Sequence, residues 1–597
     1  MADAQPLRCD RAEAIDLVDG WLCSQLGAHQ VCVQPLAGSS SKPFTHGWRL
    51  APLAEAGGII LEIYIDDRFP RSAPRVLWVN APPFPSIPHV ENDGFICALS
   101  TIEVIDPHYP LGLAQAVLKN VADILKKGIA GTNSDDFRSE FRSYWNPLAQ
   151  GKSVTSLLDP SGPSRKIAVW RGKHQTVVAE NSNDLRAWLS HQANEKATSK
   201  LNIEQGALLW VGEPLLPTDY PSNVADLRSL ANRPTIAAAD IVEHELERLQ
   251  DQLTFVLGGT TSEGTSFGVA NVVSPSMQNG RGHLPGFRPG RAPAKLIATS
   301  RLQLPIVRSP VERADPRWVH GRDHNGDLID LLPAKVVLIG CGSLGSPAAQ
   351  LLAQAGVGNL RLIDPDNLQW ANTARHALGA RSVHLSKAKR LAEDLQGDFP
   401  SSKIVGQGMT WQAVADETPQ LLFGCDLIIS TLGSWSDEAE LNDRLLDLAI
   451  PTPTLFAWSE PRAVGGHAVL IGKDSGCFGC GVDRHGTPHL RIVDFVGSTL
   501  AKEPACGEHF QPYGASQIEA VAVLAADVAL DYLTERLAPG RHRMWAARKA
   551  SIDVVGGTLS TSWIELSDGR TRGGNTEERE WPIDAACPSC GGRGRAC

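Results

Sequence analysis

Three glycines in the C-terminal half have the spacing of a nucleotide-binding loop. Gly340, Gly342 and Gly345 directly follow the apolar run KVVLI and open a segment of small residues. Glycines in this arrangement let backbone amides approach a phosphate or ribose closely, and the N-terminus of the following helix attracts negative charge. Asp364 ends the next apolar run, and its carboxylate can accept a hydrogen bond from a ribose hydroxyl. Taken alone, these residues leave open a Rossmann unit that binds NAD.

Four cysteines in the C-terminal half form two Cys-x-x-Cys pairs, Cys477 with Cys480 and Cys587 with Cys590. Two such pairs suit a tetrahedral Zn²⁺ ion held by four thiolates, a closed site that crosslinks the fold. A thioredoxin-like redox pair is the alternative, but neither pair lies in the small βαβ context that this function requires. The pattern therefore predicts a structural zinc site.

Cys97 and Cys506 have surroundings suited to carrying an acyl group. Cys97 follows a proline-rich segment and the Asp93-Gly94 pair, which favours a turn and an exposed loop. Cys506 lies in a loop before a helix of small residues, and His509 is close enough in sequence to assist it. A thiol of ordinary pKa, about 8.5, must ionise in part before it can attack an acyl group. A buried structural cysteine is the alternative at both positions.

The composition is that of a globular protein with several domains. A chain of 597 residues predicts about three or four domains. The formal net charge of -10 argues against a nucleic-acid partner, which usually needs a basic face. The N-terminal residues lack the apolar run of a signal peptide, and no apolar segment approaches the ~20 residues of a membrane span. We therefore expect a cytoplasmic protein with no membrane partner.

The periodicity of apolar residues predicts an α/β multidomain protein. Residues 1–155 combine a helical start, strand-like segments and a later helical run, which predicts one α+β domain. Residues 156–320 mix short strand-like and helical pieces, which predicts a central α/β linker domain. In residues 321–597 strands alternate with helices, which predicts a mainly parallel, doubly wound sheet of the Rossmann kind.

The segment DPDNLQWANTARHALGA and the lysine that follows it resemble the adenylation domain of ThiF-type and ubiquitin-activating enzymes. In that family an Asp-x-Asp strand end precedes Asn-x-x-Arg and then a lysine, and these residues grip the triphosphate. The resemblance implies that ATP and Mg²⁺ are cofactors, with ATP held by Gly340, Gly342, Gly345, Asp364, Asp366, Asn372, Arg375 and Lys387. Cations around the α-phosphate stabilise the charge that develops when a carboxylate attacks phosphorus. It also implies that Cys506 is the acyl acceptor and that the paired cysteines hold Zn²⁺.

One part of that family's pattern is missing. The family has an aspartate within Asp-Asn after the strand equivalent to CDLIIST, where it helps to hold magnesium. Here the strand runs into LGSWSDEAELNDR, in which Asp437 is the nearest acid, and Asp426 precedes it within the strand segment. We assign Asp437 as the magnesium ligand on this basis.

The first 150 residues resemble the ubiquitin-conjugating fold on the approach to its active cysteine. The order is aromatic-proline, alanine-proline, a strand, proline-histidine, Asp-Gly and then Cys97. The resemblance implies a ubiquitin-conjugating-like domain in which Cys97 carries a thioester. The family's His-Pro-Asn motif, whose asparagine steadies the oxyanion, is absent, so His89 and Asn92 are the candidate donors.

A conjugating-like domain ahead of an activating-like domain resembles the fused ligases of bacterial CBASS antiphage operons. That resemblance implies adenylation of the C-terminal carboxylate of a partner protein, such as a cyclic-oligonucleotide synthase. The acyl group would then pass from Cys506 to Cys97 and finally to a target amine on a protein. A homodimer through the C-terminal half is also implied. Two other functions remain open, a sulfur-carrier adenylyltransferase of cofactor biosynthesis and a binding scaffold whose front domain is inactive.

Overall fold

The computed structural model describes residues 10–33, 44–51, 58–99, 105–192, 201–249, 251–274, 296, 299, 301–448, 451–503 and 509–591. The chain forms two compact units, residues 1–185 with 202–313 and residues 186–201 with 314–597. Every helix in the described ranges is too short or too polar to span a lipid bilayer.

The N-terminal region of the first unit is an antiparallel sheet with two long helices. The strands pair in chain order and are His29–Gln30, His46–Arg49, Leu61–Ile65, Arg75–Trp78 and Phe95–Ile96. The helices are Arg11–Leu26 and Pro110–Ala130, and each ends at a glycine in the left-handed conformation. Trp48, Ile63 and Val76 of the sheet share one apolar core with both helices. This arrangement confirms the predicted α+β region.

An eight-stranded mixed sheet forms the central region of the same unit. Its strands in spatial order are Ile306–Ser309, Gly264–Val273, Gln252–Thr261, Ile203–Gly212, Arg165–Arg171, Thr176–Ala179, Val154–Ser156 and Val311–Arg313. The helices from residue 136 to residue 247 are Asp136–Ser139, Phe141–Trp145, Ser182–Gln192, Val224–Ala231 and Ala239–Glu247. The strand Val154–Ser156 crosses the predicted limit at residue 155, so the limits 1–155, 156–320 and 321–597 stay a prediction.

The second unit contains another eight-stranded sheet. Its strands in spatial order are Lys403–Gln407, Asn359–Ile363, Lys335–Ile339, Leu427–Ser430, Thr454–Ser459, Gly465–Ile471, Arg541–Ala546 and Thr576–Glu580. The first five strands are parallel to one another, which confirms the predicted Rossmann-like core. The remaining three pair antiparallel, and the alternation in the sequence did not predict them.

The helices of the second unit pack against this sheet, as expected for parallel strands buried on both faces, except the first, Pro316–Val319, which has no buried residue. They are Pro316–Val319, Leu328–Leu331, Gly345–Ala355, Lys387–Asp398, Trp411–Glu417, Pro419–Phe423, Trp435–Leu446, Ala515–Leu533, Lys549–Val554 and Thr561–Leu566. Two small antiparallel ladders complete the unit, Val493–Phe495 with Gly557–Leu559 and Ala501–Lys502 with His509–Phe510.

Candidate functional site

The glycine loop connects the strand Lys335–Ile339 to the helix Gly345–Ala355. Gly340 has a φ of +90°, a backbone conformation that favours glycine. A Cβ on Gly345 would lie 1.8 Å from the carbonyl oxygen of Gly340, so only glycine fits there. Gly342 instead borders a cavity, and a Cβ added to it would meet no atom within 4 Å. The fold requires the first and third glycines, and the second leaves space for a ligand.

Asp364 directly follows the strand Asn359–Ile363 and is buried. Its carboxylate accepts the backbone N–H of Cys341 at 2.6 Å and that of Asp366 at 2.8 Å. Burial raises the pKa of Asp364, although these hydrogen bonds and the charge of Lys387 oppose the increase. Asp364 therefore ties the glycine loop to the next strand, and its predicted contact with a ribose stays a prediction.

The two predicted cations are each held by a neighbouring side chain. Lys387 begins the helix Lys387–Asp398, and its Nζ lies 2.9 Å from the Asp366 carboxylate. The guanidinium carbon of Arg375 lies 4.7 Å from the ring centroid of Tyr513. A cation over an aromatic face is attracted by the electrons of the ring. Both positive charges are thus oriented before any ligand binds.

His376 is a residue of this region that the sequence analysis missed. Its Nε2 donates to the carbonyl of Cys341 at 2.6 Å, and its Nδ1 accepts the N–H of Leu378 at 2.9 Å. Burial lowers the pKa of His376, which favours this neutral form. The ring therefore fastens the segment that carries Arg375 to the glycine loop. The predicted ligand Asn372 accepts a backbone N–H at 3.1 Å and shapes the turn before that segment.

A cavity of about 510 Å³ opens at the carboxyl ends of the parallel strands. Gly342 and Ser343 of the glycine loop form part of its wall, and Trp458 and Tyr513 form another part. The Tyr513 hydroxyl lies 2.8 Å from the Ser343 hydroxyl, which closes the wall between the glycine loop and the helix Ala515–Leu533. Ligand pockets for small molecules commonly have this volume, and doubly wound sheets place them at this edge.

The structure places Glu438, and not the predicted Asp437, on the wall of this cavity. The Asp437 carboxylate accepts a hydrogen bond from the amide of Gln412 at 3.1 Å. Glu438 accepts the Ser430 hydroxyl at 3.2 Å, and burial raises the pKa of Glu438 to about 7. Asp426 lies at the opposite, amino end of its strand, where its carboxylate accepts a backbone N–H at 2.8 Å. Glu460 also lines the cavity, but its carboxylate is already engaged by His467 and by two backbone N–H groups. Glu438 is therefore the better placed acid for a metal ion in the cavity, and the assignment of Asp437 stays a prediction.

The four paired cysteines converge on one point. Their sulfur atoms all lie within 4.8 Å of one another, and all four residues are buried. The distance is 3.8 Å between Cys477 and Cys480, 3.6 Å between Cys477 and Cys587, and 3.5 Å between Cys480 and Cys590. A tetrahedral ion with Zn–S bonds of about 2.3 Å places its sulfur ligands about 3.8 Å apart. The cluster therefore fits a metal site with four thiolates.

Cys97 directly follows the strand Phe95–Ile96, and its side chain is exposed. Its backbone N–H donates to the carbonyl of His89 at 2.8 Å. Gly94 has a φ of +87° in the turn before the strand, as the Asp-Gly pair predicts. The thiol is thus presented at the surface by a short, closed loop, residues 89–97, which we call the Cys97 loop.

The predicted role of His89 as an oxyanion donor is wrong. Its Nε2 lies 3.0 Å from the Asp136 carboxylate, and its Nδ1 lies 3.3 Å from the Glu140 carboxylate. Because both ring nitrogens face acids, neither is available to an acyl oxygen. Asn92 is exposed beside the turn, and its role as a donor stays a prediction.

Cys506 lies outside the described residues, in segment 504–508. The residues on either side form the ladder of Ala501–Lys502 with His509–Phe510, in which Lys502 pairs with His509. The helix Ala515–Leu533 begins shortly after this ladder, as the sequence predicts. The role of Cys506 as an acyl acceptor stays a prediction.

We expect Glu91→Gln to increase the reactivity of the Cys97 thiol at neutral pH. Partial burial and then the charges of Glu91 and Glu140 raise the pKa of Cys97, and only Arg75 opposes them. Removing one negative charge favours the thiolate, so alkylation by iodoacetamide at pH 7.5 should be roughly two- to fivefold faster. Mass spectrometry of the labelled peptide between pH 6.5 and 9.5 measures the rate. Asp67→Asn, at another exposed acid of this unit, is the control, and equal rates in both variants would contradict the expectation.

Comparison with known proteins gives two family matches within the chain. Residues 323–575 match the ThiF family, and residues 28–154 match the prokaryotic E2 family B. The first match covers the cavity and the first cysteine pair, Cys477 with Cys480, and the second match covers the Cys97 loop.

Two curated relatives are similar over most of the chain. The ATP-dependent ubiquitin transferase-like protein Cap2 of Pseudomonas aeruginosa is 26% identical over 506 residues, 82% of this chain and 87% of that protein. The protein of the same name from Vibrio cholerae is 30% identical over 454 residues, 68% of this chain and 73% of that protein. By contrast, the sulfur carrier protein ThiS adenylyltransferase of Bacillus subtilis is 26% identical over 122 residues, only 20% of this chain and 36% of that protein.

Proposed function

Because the chain belongs to the family of ATP-dependent ubiquitin transferase-like proteins and is an ATP-dependent ligase, we propose that it passes an acyl group through two of its own thiols. The C-terminal carboxylate of a partner protein attacks the α-phosphorus of ATP and releases pyrophosphate. The Cys506 thiolate attacks the acyl adenylate and releases AMP. The Cys97 thiolate takes over the acyl group, and a target amine then forms an amide and frees Cys97. Each covalent step replaces one difficult reaction by two easier ones.

The cavity of the second unit is the proposed site of adenylation. Arg375 and Lys387 would stabilise the negative charge that develops on the α-phosphate, and both are already oriented by their neighbours. Asp364 would accept from the ribose, and Asp366 would orient Lys387. Glu438 would hold Mg²⁺, whose charge would displace the proton that burial favours on this carboxyl group.

Zn²⁺ is the proposed occupant of the cysteine cluster. The sulfur-to-sulfur distances of 3.5, 3.6 and 3.8 Å agree with a tetrahedral ion, and they are too long for disulfide bonds. All four ligands are protein side chains, so the ion would crosslink the fold and would not contact the acyl group.

The observation that carries this proposal is the exposed thiol of Cys97 within residues that match the prokaryotic E2 family B. A scaffold needs no accessible thiol at this position. A sulfur-carrier adenylyltransferase would use the cavity and the metal cluster, but it would leave residues 28–154 without a function. The relay uses both matched regions.

We propose a cyclic-oligonucleotide synthase as the protein whose C-terminal carboxylate is activated, and antiphage defence of the CBASS type as the setting. The family resemblance supports this choice. The final acceptor is an amine on a protein, and the C-terminal half would form the contact of a homodimer.

The proposed activation is tested by exchange of labelled pyrophosphate into ATP. The full-length chain, ATP and a purified cyclic-oligonucleotide synthase of the same organism should give rapid exchange, because acyl adenylate formation is reversible. The same synthase with an amidated C-terminus should give none, since it has no carboxylate to attack phosphorus. Equal exchange with both proteins, or none with either, would contradict the proposal.

A further inference from the structure

A charged cluster holds the Cys97 loop from one side. The His89 ring is only 20% exposed and lies between the carboxylates of Asp136, at 3.0 Å, and Glu140, at 3.3 Å. A histidine can donate from both nitrogens only as the imidazolium. Hydrogen bonding to Glu140, together with the charges of both acids, raises the pKa of His89, although burial opposes this.

The backbone of His89 links this cluster directly to the thiol. His89 has a φ of +62°, a conformation that a non-glycine residue adopts only when its surroundings hold it there. Its N–H donates to the Tyr144 hydroxyl at 2.8 Å, and its carbonyl accepts the N–H of Cys97 at 2.8 Å. The Tyr144 hydroxyl in turn donates to Glu140 at 3.0 Å. The position of Cys97 therefore depends on Tyr144 and on the two acids.

Asp136 and Tyr144 belong to two very short helices, Asp136–Ser139 and Phe141–Trp145, and Glu140 lies in the turn between them. Helices of this length are not stable through their own hydrogen bonds, so their packing must fix them. Trp145 is fully buried, and its Nε1 donates to the carbonyl of Ser309 in the central sheet at 2.9 Å. A Cβ on Gly268 of the same sheet would lie 2.7 Å from the Trp145 ring, so the indole lies directly on the strand.

We propose that the central eight-stranded sheet is a platform that positions the Cys97 loop for acyl transfer, through Trp145, Tyr144 and His89. Tyr144 and His89 are positioning residues, since both act on Cys97 through backbone hydrogen bonds of its loop. This gives the central region a role in the relay, and it rests on the proposed function of Cys97 as an acyl carrier.

Tyr144→Phe tests the platform with the least disturbance of packing. The change removes two hydrogen bonds of a ring that is 2% exposed and leaves the ring itself. We expect single-turnover transfer of the acyl group to Cys97 to be roughly tenfold slower. Exchange of pyrophosphate into ATP should not change. Hydrogen exchange at the Cys97 amide, measured by mass spectrometry of the full chain, should also be roughly tenfold faster.

Tyr220→Phe is the matched control. The ring centroid of Tyr220 lies 4.9 Å from that of Trp145 in the same core. The buried hydroxyl of Tyr220 has no hydrogen-bond partner among the described residues. Transfer rates that differ by less than twofold between the two variants would overturn the proposal. If the wild-type chain shows no acyl adduct on Cys97, the proposed function fails, whereas the hydrogen exchange still decides whether Tyr144 holds the loop.

The pH profile separates positioning from simple stability. The groups that face His89 are Asp136 and Glu140 through its ring and Tyr144 through its backbone, while Glu91 acts on the Cys97 thiol. Because the pKa of His89 is raised, its ring is the imidazolium and contacts both acids at every pH below the ordinary pKa of histidine. These contacts are lost as the pH rises through the raised pKa. The transfer rate should therefore bend downward at that pH in the wild-type chain but not in His89→Gln. The same profile in both would overturn the role of the imidazolium.

Discussion

Cys97→Ala should abolish the acyl adduct on the N-terminal unit and leave the adduct on Cys506 intact. Moving an acyl group from one thiol to another changes the free energy little, so both thioesters should be populated in the wild-type chain. The cavity proposed for adenylation lies in the other unit, so loss of the Cys97 thiol should leave activation of the carboxylate unaffected. A non-reducing gel with labelled synthase and ATP should show two DTT-sensitive adducts for the wild type and one for the variant. Peptide mass spectrometry identifies the cysteine in each.

Cys506→Ala should remove both adducts, because in the proposed relay Cys97 receives its acyl group from Cys506. The matched control is Cys23→Ala, which removes another exposed thiol of the first unit and should retain both adducts. A single adduct in the wild-type chain that survives Cys97→Ala would favour the sulfur-carrier adenylyltransferase. Absence of every adduct from the wild-type chain, together with absence of pyrophosphate exchange, would leave only the scaffold.

Local patterns in the sequence were sufficient to predict the glycine loop and the four cysteines that cluster in the fold. Gly340 and Gly345 are recognisable because the turn after a buried strand demands a positive φ and a close approach of two backbone segments. The cysteine pairs are recognisable because a tetrahedral metal ion needs four ligands, and two Cys-x-x-Cys pairs supply four thiolates. Cys477 and Cys587 are 110 residues apart, yet their sulfur atoms lie 3.6 Å from each other.

Contacts between distant segments account for what the sequence did not predict. The place of His89 before Cys97 suggests an oxyanion donor, but two acids from a later part of the chain, Asp136 and Glu140, engage its ring. Asp437 and Glu438 are adjacent in the sequence, and only the helix Trp435–Leu446 determines that Glu438 faces the cavity. The contacts of His89 and the position of Glu438 do not follow from the spacing of residues in the sequence. Both depend on which face of a helix or loop packs against its neighbours in the fold.

Cys480→Ser should destabilise the second unit strongly and weaken adenylation with it. Cys480 is 1% exposed, and its sulfur lies 3.8 Å from that of Cys477 and 3.5 Å from that of Cys590. Replacing one thiolate ligand by a hydroxyl should cost about 4 kcal/mol of metal-linked stability, which lowers the melting temperature by roughly 10 °C. Calorimetry measures this loss, and elemental analysis should find one zinc per wild-type chain and much less in the variant.

A residue between two cysteines of the cluster also lines the cavity proposed for adenylation, so loss of a metal ion from the cluster should reduce pyrophosphate exchange. Phe478 lies between Cys477 and Cys480 in the sequence and forms part of the cavity wall. Its ring stacks on Phe456, with the two ring centroids 4.0 Å apart. Removal of the ion by a chelator should therefore slow exchange in the wild-type chain, and added Zn²⁺ should restore it. Substitution by Co²⁺ should give the intense absorption of thiolate-to-cobalt charge transfer. Cys425→Ser, which removes a thiol of the same unit outside the cluster, should retain the metal and the exchange. A chain that keeps its melting temperature and its exchange after chelation would show that the four sulfurs hold no structural ion.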